Sequence, residues 1–336
     1  MRAIFQRLRS FISSAVLGGG TGASARVSAA APVGDRNEQL KAELTQELTQ
    51  ELTQELAQEL KEELQEELKE ELKAGLSEEL KELEQDLLRH QISTKWELMH
   101  RIERLREPAR ELTCALCGHT EPAEAFTVFE SACIFEGGEI TRHQCPKCDV
   151  IFGSSLMLSL SAGELTREYE WHYRVFSEGD STEQELRAFY ALNPERDKKY
   201  VNWGSGAWSR SIEVLRADGW QVFGFEPHGS ASREGDAILR SLDDLIALKP
   251  DGIYSNNVLE HLRHPVDELK TMSSLLPAGG MMSHATPCFE YRFEFTRFHL
   301  FFFLGRSRAF LADQAGLQMI DYVADGDFMN LLLAKP

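Results

Sequence analysis

Four cysteines in two pairs, Cys114-Ala-Leu-Cys117 and Cys145-Pro-Lys-Cys148, are well spaced for chemistry. Two residues between the members of a pair let both thiolates meet one tetrahedral ion, and an all-sulfur set suits Zn2+. Gly118 suits the tight turn after the first pair. Four sulfur ligands leave no open coordination position, so such an ion holds a fold and performs no catalysis. The 27 residues between the pairs exceed an ordinary zinc-ribbon loop. Cys133, His119 and His143 are alternative ligands, each of which also fits a buried thiol or an ordinary ribbon residue, and Cys288 reads as a small buried residue.

A second chemistry is written in residues 199–227, KYVNWGSGAWSRSIEVLRADGWQVFGFEP. A strand at Tyr200–Trp203 leads into the turn Gly204-Ser205-Gly206. A helix follows over Ser209–Ala217, with Ile212, Val214 and Leu215 on its apolar side and Gly219 as its stop. Gln221–Gly224 form a second strand, and Glu226 stands just past its end. This is half of a doubly wound nucleotide fold. Glycines let a ligand approach the backbone, amides at a helix start favour an anionic group, and an acid about 20 residues on can accept from ribose hydroxyls. The same turn also fits a strand-to-helix corner that needs small residues for packing alone. Residues 251–287, DGIYSNNVLEHLRHPVDELKTMSSLLPAGGMMSHATP, then give a strand with the polar end Ser255-Asn256-Asn257, a helix, a Gly-Gly stop and another strand.

Together these segments resemble class I S-adenosylmethionine (SAM) dependent methyltransferases, where NVLEHL…P follows the fourth strand and LLPAGG precedes the fifth. The resemblance runs from about Cys114 to the C-terminus. It implies a Rossmann-like seven-stranded α/β core, preceded by a small β zinc ribbon and a long N-terminal helix, with SAM as cofactor and a structural zinc ion. It places Gly204, Ser205 and Gly206 under the methionine half of SAM, Glu226 on the ribose diol, and residues near Leu242 beside the adenine. Ser255, Asn256 and Asn257 then stand where methyl and acceptor meet, with Asn257 also fit to cap a helix carrying Leu259 and Leu262.

The stretch Phe298-His299-Leu300-Phe301-Phe302-Phe303 resembles the HLxFF segment of sugar-modifying methyltransferases with zinc ribbons. That implies a small-molecule acceptor such as a sugar or glycan precursor, and His299 as a base. Carbon-methylating members carry Tyr-x-Glu before this histidine; Thr296 and Phe298 hold those places here, so His299 alone matches. His261 is the second catalytic candidate, with a structural role as its alternative, and His264 and His284 are further candidate bases. Two positions depart from the pattern, Asn202 for an acid and Trp208 for a small residue. The alternative reading is therefore a fold kept without turnover, a scaffold acting through its N-terminal helix.

The elements that must carry these residues divide the 336-residue chain into a leader (1–37), a long helix (38–108), the ribbon (109–155), a helical lead-in or cap (156–198) and the methyltransferase domain (199–336). Tyr169, Trp171, Tyr173 and Tyr190 in the lead-in serve either a cleft or ordinary packing. The C-terminus reads as two strands, Leu317–Tyr322 and Phe328–Ala334, joined in a hairpin at Asp325-Gly326-Asp327. Net charge is −18, of which residues 35–90 carry −11, from eighteen acids and seven bases. That balance excludes nucleic acid as the main partner, because phosphate binding needs clustered Lys and Arg. No apolar run reaches the ~18 residues of a membrane span.

Residues 1–34 lack acids but hold Arg2, Arg7, Arg9 and Arg26, which fits an organellar transit peptide, a basic amphipathic helix or a leader without an address. The cysteine usage otherwise fits the reducing cytoplasm. From Glu38 to Leu80 a four-residue leucine repeat predicts a helix whose stripe drifts by roughly 40° per step, so no single seam forms. Spacing then changes at Leu76, Leu80, Leu83 and Leu87, and Ile92, Trp96, Met99, Ile102 and Leu105 continue an apolar face up to Pro108. Residues 76–106 thus suit a short oligomerising coiled coil or docking helix, or else a solvated charged one.

Overall fold

The structure is a computed structural model that describes residues 33–107, 109–176, 179–206, 209–227 and 237–336. Residues 1–32 of the expected leader (1–37), Pro108 and Trp208 lie outside them. Among the described residues, no helix is long and apolar enough to cross a membrane.

Helix α1 (Val33–Arg104) is continuous over 72 residues, as its wealth of Glu, Leu, Gln and Lys dictates. Residues up to Glu78 form one unit and residues 79–336 a second. In the first unit, every leucine from Leu40 to Leu76 is exposed, the outcome of a stripe that winds around its own axis. In the second, Leu80, Leu83 and Leu87 are exposed too, but Ile92 and Trp96 are buried, with Leu88 and Met99 packed beside them. The face expected to meet another molecule is thus spent partly on the chain itself, and Ile102 and Leu105 are left exposed. Trp96 anchors it: its indole Nε1 donates to Glu168 Oε2 at 2.9 Å, the Arg297 guanidinium lies 4.5 Å from its ring, and Lys95 pairs with Glu168.

The cysteine segment begins with a small antiparallel pair, β1 (Glu111–Thr113) and β2 (Thr120–Pro122). A second antiparallel sheet follows in β3 (Thr127–Ala132), β4 (Glu139–Gln144) and β5 (Ile151–Gly153), and Phe301–Phe302 join its β5 edge. Helices α2 (Ser155–Ser159), α3 (Ala162–Val175) and α4 (Thr182–Ala191) lead on, and α3 opens with a capping box between Ser161 and Glu164.

The core is β6 (Lys199–Trp203), α5 (Arg210–Ala217), β7 (Gln221–Phe225), β8 (Ile238–Leu239), α6 (Leu242–Leu248), β9 (Gly252–Asn256), α7 (Pro265–Leu275), β10 (Met281–Ala285), β11 (Phe301–Phe302), α8 (Ser307–Gln314), β12 (Gln318–Asp325) and β13 (Phe328–Ala334). Among the described residues its sheet has seven strands in the order β12-β13-β10-β9-β6-β7-β8. Strands β6 to β10 run parallel, and β13 enters antiparallel between β10 and β12. This is the Rossmann-like seven-stranded arrangement expected. Its β6, β9 and β10 read as near-continuous buried runs because both faces of a parallel sheet are covered.

One local expectation is corrected. Asn257 caps no helix: it stands at φ +55°, and a 3-10 turn, Leu259–His261, follows. The helix starts later, at Pro265, because proline is preorganised for the first helical position and disfavours helix in the residue before it.

Trp96→Ala should cost about 3–5 kcal/mol in urea unfolding, whereas Leu56→Ala should stay within about 0.5 kcal/mol. Equal costs would contradict this division of α1.

Candidate functional site

Strand β6 lies between β7 and β9, and the chain leaves it toward opposite edges of the sheet, so a crevice opens beyond the strand ends. Gly204 and Gly206 stand there at φ +71° and +70°, a conformation that favours glycine. Gly204 also lies so close to Val258 that a Cβ would come 2.7 Å from its Cγ2. The Gly204 and Ser205 amides both reach the Phe225 carbonyl, at 2.8 and 3.3 Å, so these two fix the turn to β7 and are not offered to a ligand. Ser205 is buried. Glu226 follows β7 at the same rim, tied through its backbone to Leu239 and Arg240.

Across the crevice, β9 ends in three polar residues with different fates. Ser255 is buried and its hydroxyl bonds His284 Nδ1 at 2.8 Å, its partner across the strands. Asn256 is half-buried and Asn257 exposed, with the Asn257 amide held by the Ala285 carbonyl. His284 is therefore an interior residue, not a base at a cleft, and burial pushes its imidazole down to about 3. His264 precedes α7 on the surface.

His261 and His299 do come together, with ring centres 5.0 Å apart. The Phe298 carbonyl lies 3.0 Å from His261 Nδ1, and the Phe293 carbonyl 2.9 Å from His299 Nδ1. A carbonyl only accepts, so each Nδ1 carries the proton and each Nε2 keeps its lone pair. Burial lowers His261 to about 4 and holds His299 well below its ordinary value, so both rings are neutral near pH 7. Tyr169 of α3 adds its hydroxyl 3.0 Å from His261 Nδ1. The sequence showed it only as one aromatic among several.

Two more groups join this cluster. Cys288 Sγ lies 3.3 Å from His299 Nδ1, and the ligand atoms of Glu260, Cys288 and His299 all fall within 4.8 Å of one another. The Thr286 hydroxyl donates to Glu260 Oε1 at 2.6 Å. The buried Arg142 guanidinium acts on both Cys288 and His299, and its charge opposes a cation among them.

On β6, the sequence did not single out Glu185 of α4 as the partner of Asn202. Asn202 is buried, and its Nδ2 donates to Glu185 Oε2 at 2.8 Å. The carboxylate that the family pattern places at position 202 thus stands on a neighbouring helix.

The four cysteines Cys114, Cys117, Cys145 and Cys148 converge, all sulfurs lying within 4.8 Å of one another. The pairs Cys114–Cys148 and Cys117–Cys145 are 3.8 and 3.7 Å apart. A tetrahedron with metal–sulfur bonds of ~2.3 Å has edges of about 3.8 Å, so the set fits such an ion. Each knuckle closes alike: Gly118 N–H bonds the Cys114 carbonyl and Asp149 N–H the Cys145 carbonyl, with φ +68° at both Gly118 and Asp149. His119 instead bonds Glu121, and Cys133 receives the Arg297 Nε–H, so neither belongs to the sulfur cluster.

Three imidazoles, His172, His261 and His284, are held down to about 4, 4 and 3, by burial first. The unfolded chain takes up these protons near pH 6.5, and the folded chain refuses them until far lower pH. Their stabilisation is complete above pH 6.5 and is lost as pH falls through that window, at about 1.4 kcal/mol per unit for a buried ring. The melting temperature should fall steadily from pH 6.5 to 5; a flat profile would contradict the burial of these rings.

Residues 181–321 match a family model described as a methyltransferase domain. No curated protein matches the chain. Among solved structures, human N-acetylserotonin methyltransferase in complex with SAM is 16% identical over 52% of this chain and 56% of that one, with a TM-score of 0.36. Mitomycin 7-O-methyltransferase MmcR is 17% identical over 53% and 61%, with a TM-score of 0.41. A SAM-dependent methyltransferase from Mesorhizobium loti is 14% identical over 45% and 98%, with a TM-score of 0.34. The chain thus spans less than two thirds of the first two proteins. The family match covers the segment that holds the glycine turn, Glu226 and the β9 end, and the seven-strand order of the sheet there is that of the class I methyltransferase fold.

Proposed function

We propose that the protein is a SAM-dependent methyltransferase acting on a small-molecule acceptor. The observation that carries this reading is the crevice at the switch point of the sheet, with an exposed glycine at Gly204, Glu226 on the adjacent strand end and Asn256 and Asn257 opposite. Bound there, SAM supplies an electrophilic methyl on a sulfonium. Gly204, Ser205 and Gly206 bound the space for its methionine half, Glu226 accepts from the ribose hydroxyls, and Asn256 and Asn257 line the acceptor side. Ser255 supports them from within, through its bond to His284.

His261 and His299 give the acceptor two neutral rings, each with Nε2 able to take a proton from a hydroxyl or an acidic C–H. Tyr169 orients His261 through Nδ1. A sugar or glycan precursor as acceptor rests on the resemblance of residues 298–303 alone. The cysteine cluster holds a structural zinc ion, since four thiolates close its coordination shell.

Calorimetric titration of the full chain with S-adenosylhomocysteine should show one site, weakened at least about tenfold by Glu226→Ala, an energy in the range of one charge-assisted hydrogen bond. The same sample should carry one zinc per chain. With an acceptor in hand, His299→Gln or His261→Gln should cut turnover by about 10²–10⁴ while leaving this affinity unchanged. A folded, zinc-loaded chain that binds no S-adenosylhomocysteine would instead support the scaffold reading.

A further inference from the structure

Glu185 lies on α4, ahead of the sheet, yet it reaches both flanks of the glycine turn. Its Oε2 accepts from Asn202 Nδ2 at 2.8 Å, from the Ser209 hydroxyl at 2.8 Å and from the Ser211 hydroxyl at 2.5 Å. Asn202 is in β6, two residues before Gly204, while Ser209 immediately precedes α5 and Ser211 is in its first turn. One carboxylate oxygen therefore pins the strand that enters the turn and the helix that leaves it. Its second oxygen, Oε1, is held in turn by the Ser181 hydroxyl at 2.7 Å.

Two details show that this arrangement overrides local preferences. A serine before a helix ordinarily caps it by accepting from an amide of the first turn. Ser209 makes no such bond, because its hydroxyl is directed to Glu185 and lies 3.0 Å from that of Ser211. Asn202, Ser209 and Ser211 are also buried, so their polar groups must find partners inside the protein, and all three find the same one. These donors are neutral, an amide and two hydroxyls, so they solvate the carboxylate without cancelling its charge.

We propose that Glu185 is a positioning residue for the cofactor: through Asn202, Ser209 and Ser211 it clamps the two ends of the Gly204–Gly206 turn. This rests on the SAM reading above. Glu185 and Asn202 form a carboxylate–amide pair, and the same pair can be built with the charge on the other member.

The test is a double-mutant cycle on the full chain, Glu185→Gln, Asn202→Asp and the two combined, read by calorimetric affinity for S-adenosylhomocysteine and by hydrogen exchange over residues 202–211. Glu185→Gln removes the charge, and Asn202→Asp sets two carboxylates against each other. Each should weaken binding by about ten- to a hundredfold and speed exchange in the turn, the range expected when a buried network loses one partner. The combined variant restores one charge and one amide, and should recover affinity to within about threefold of the parent along with slow exchange. Unchanged affinity and exchange in Glu185→Gln would overturn the proposal. So would a combined variant no better than the single ones, which would mark Glu185 as a packing residue whose shape alone matters. A parent chain that binds nothing would overturn the SAM reading and the cofactor role of Glu185 with it; exchange that still tracks the charge swap would then identify the clamp as structural.

Discussion

The parallel pairing of β6 with a neighbour on each side is the constraint on which the site depends. Trp203 opposite Phe225 in β7 and Asn202 opposite Tyr254 in β9 bring three strand ends to one level. Glu226 and Asn256 then face a common crevice because each lies just past or at the end of its strand. The close approach of Val258 to Gly204 leaves no room for a side chain on the turn. Registers of this kind are held by buried apolar faces, since slipping by one residue would turn every side chain of a strand to the wrong layer.

The ribbon is coupled to the segment Glu294–His299 by one buried cation. Arg142 sits in β4, the strand that leads into the second cysteine knuckle, and its guanidinium donates to the carbonyls of Glu294, Thr296 and His299. Removing this cation from water lowers its pKa, and the three carbonyls offset that cost. The knuckle itself is gripped from the other direction, where Arg306 donates to both oxygens of Asp149 and to the Pro146 carbonyl. An ion in the cysteine cluster would therefore stiffen β4 and β5, and through Arg142 the loop that presents His299.

Much of this was legible in the residues. Glycine punctuation and short apolar runs located β6, β7 and β9, and the Gly326 hairpin marked β12 and β13, because these signals are local. The cysteine spacing was legible for the same reason. What escaped was decided across the fold. Nothing near Glu185 marks it as the partner of Asn202, seventeen residues on; only the docking of α4 against β9, β10 and α5 brings them together. Tyr169 looked like packing until α3 set it beside His261. Ser255 looked like a strand-end ligand, and the β9–β10 register gives it to His284 instead. Asn257 had the type and place of a helix cap, but Pro265 started the helix further on. On α1, Trp96 fits one amphipathic face whether its partner is this chain or another, and periodicity does not distinguish the two.

The most direct measurement is a crystal structure of the full chain with S-adenosylhomocysteine. The account predicts the ligand in the β6–β9 crevice, its ribose hydroxyls on Glu226, its methionine half over Gly204–Gly206 and its sulfur toward the side that holds His261 and His299. An empty crevice at saturating ligand, or a ligand bound elsewhere on the protein, would contradict it.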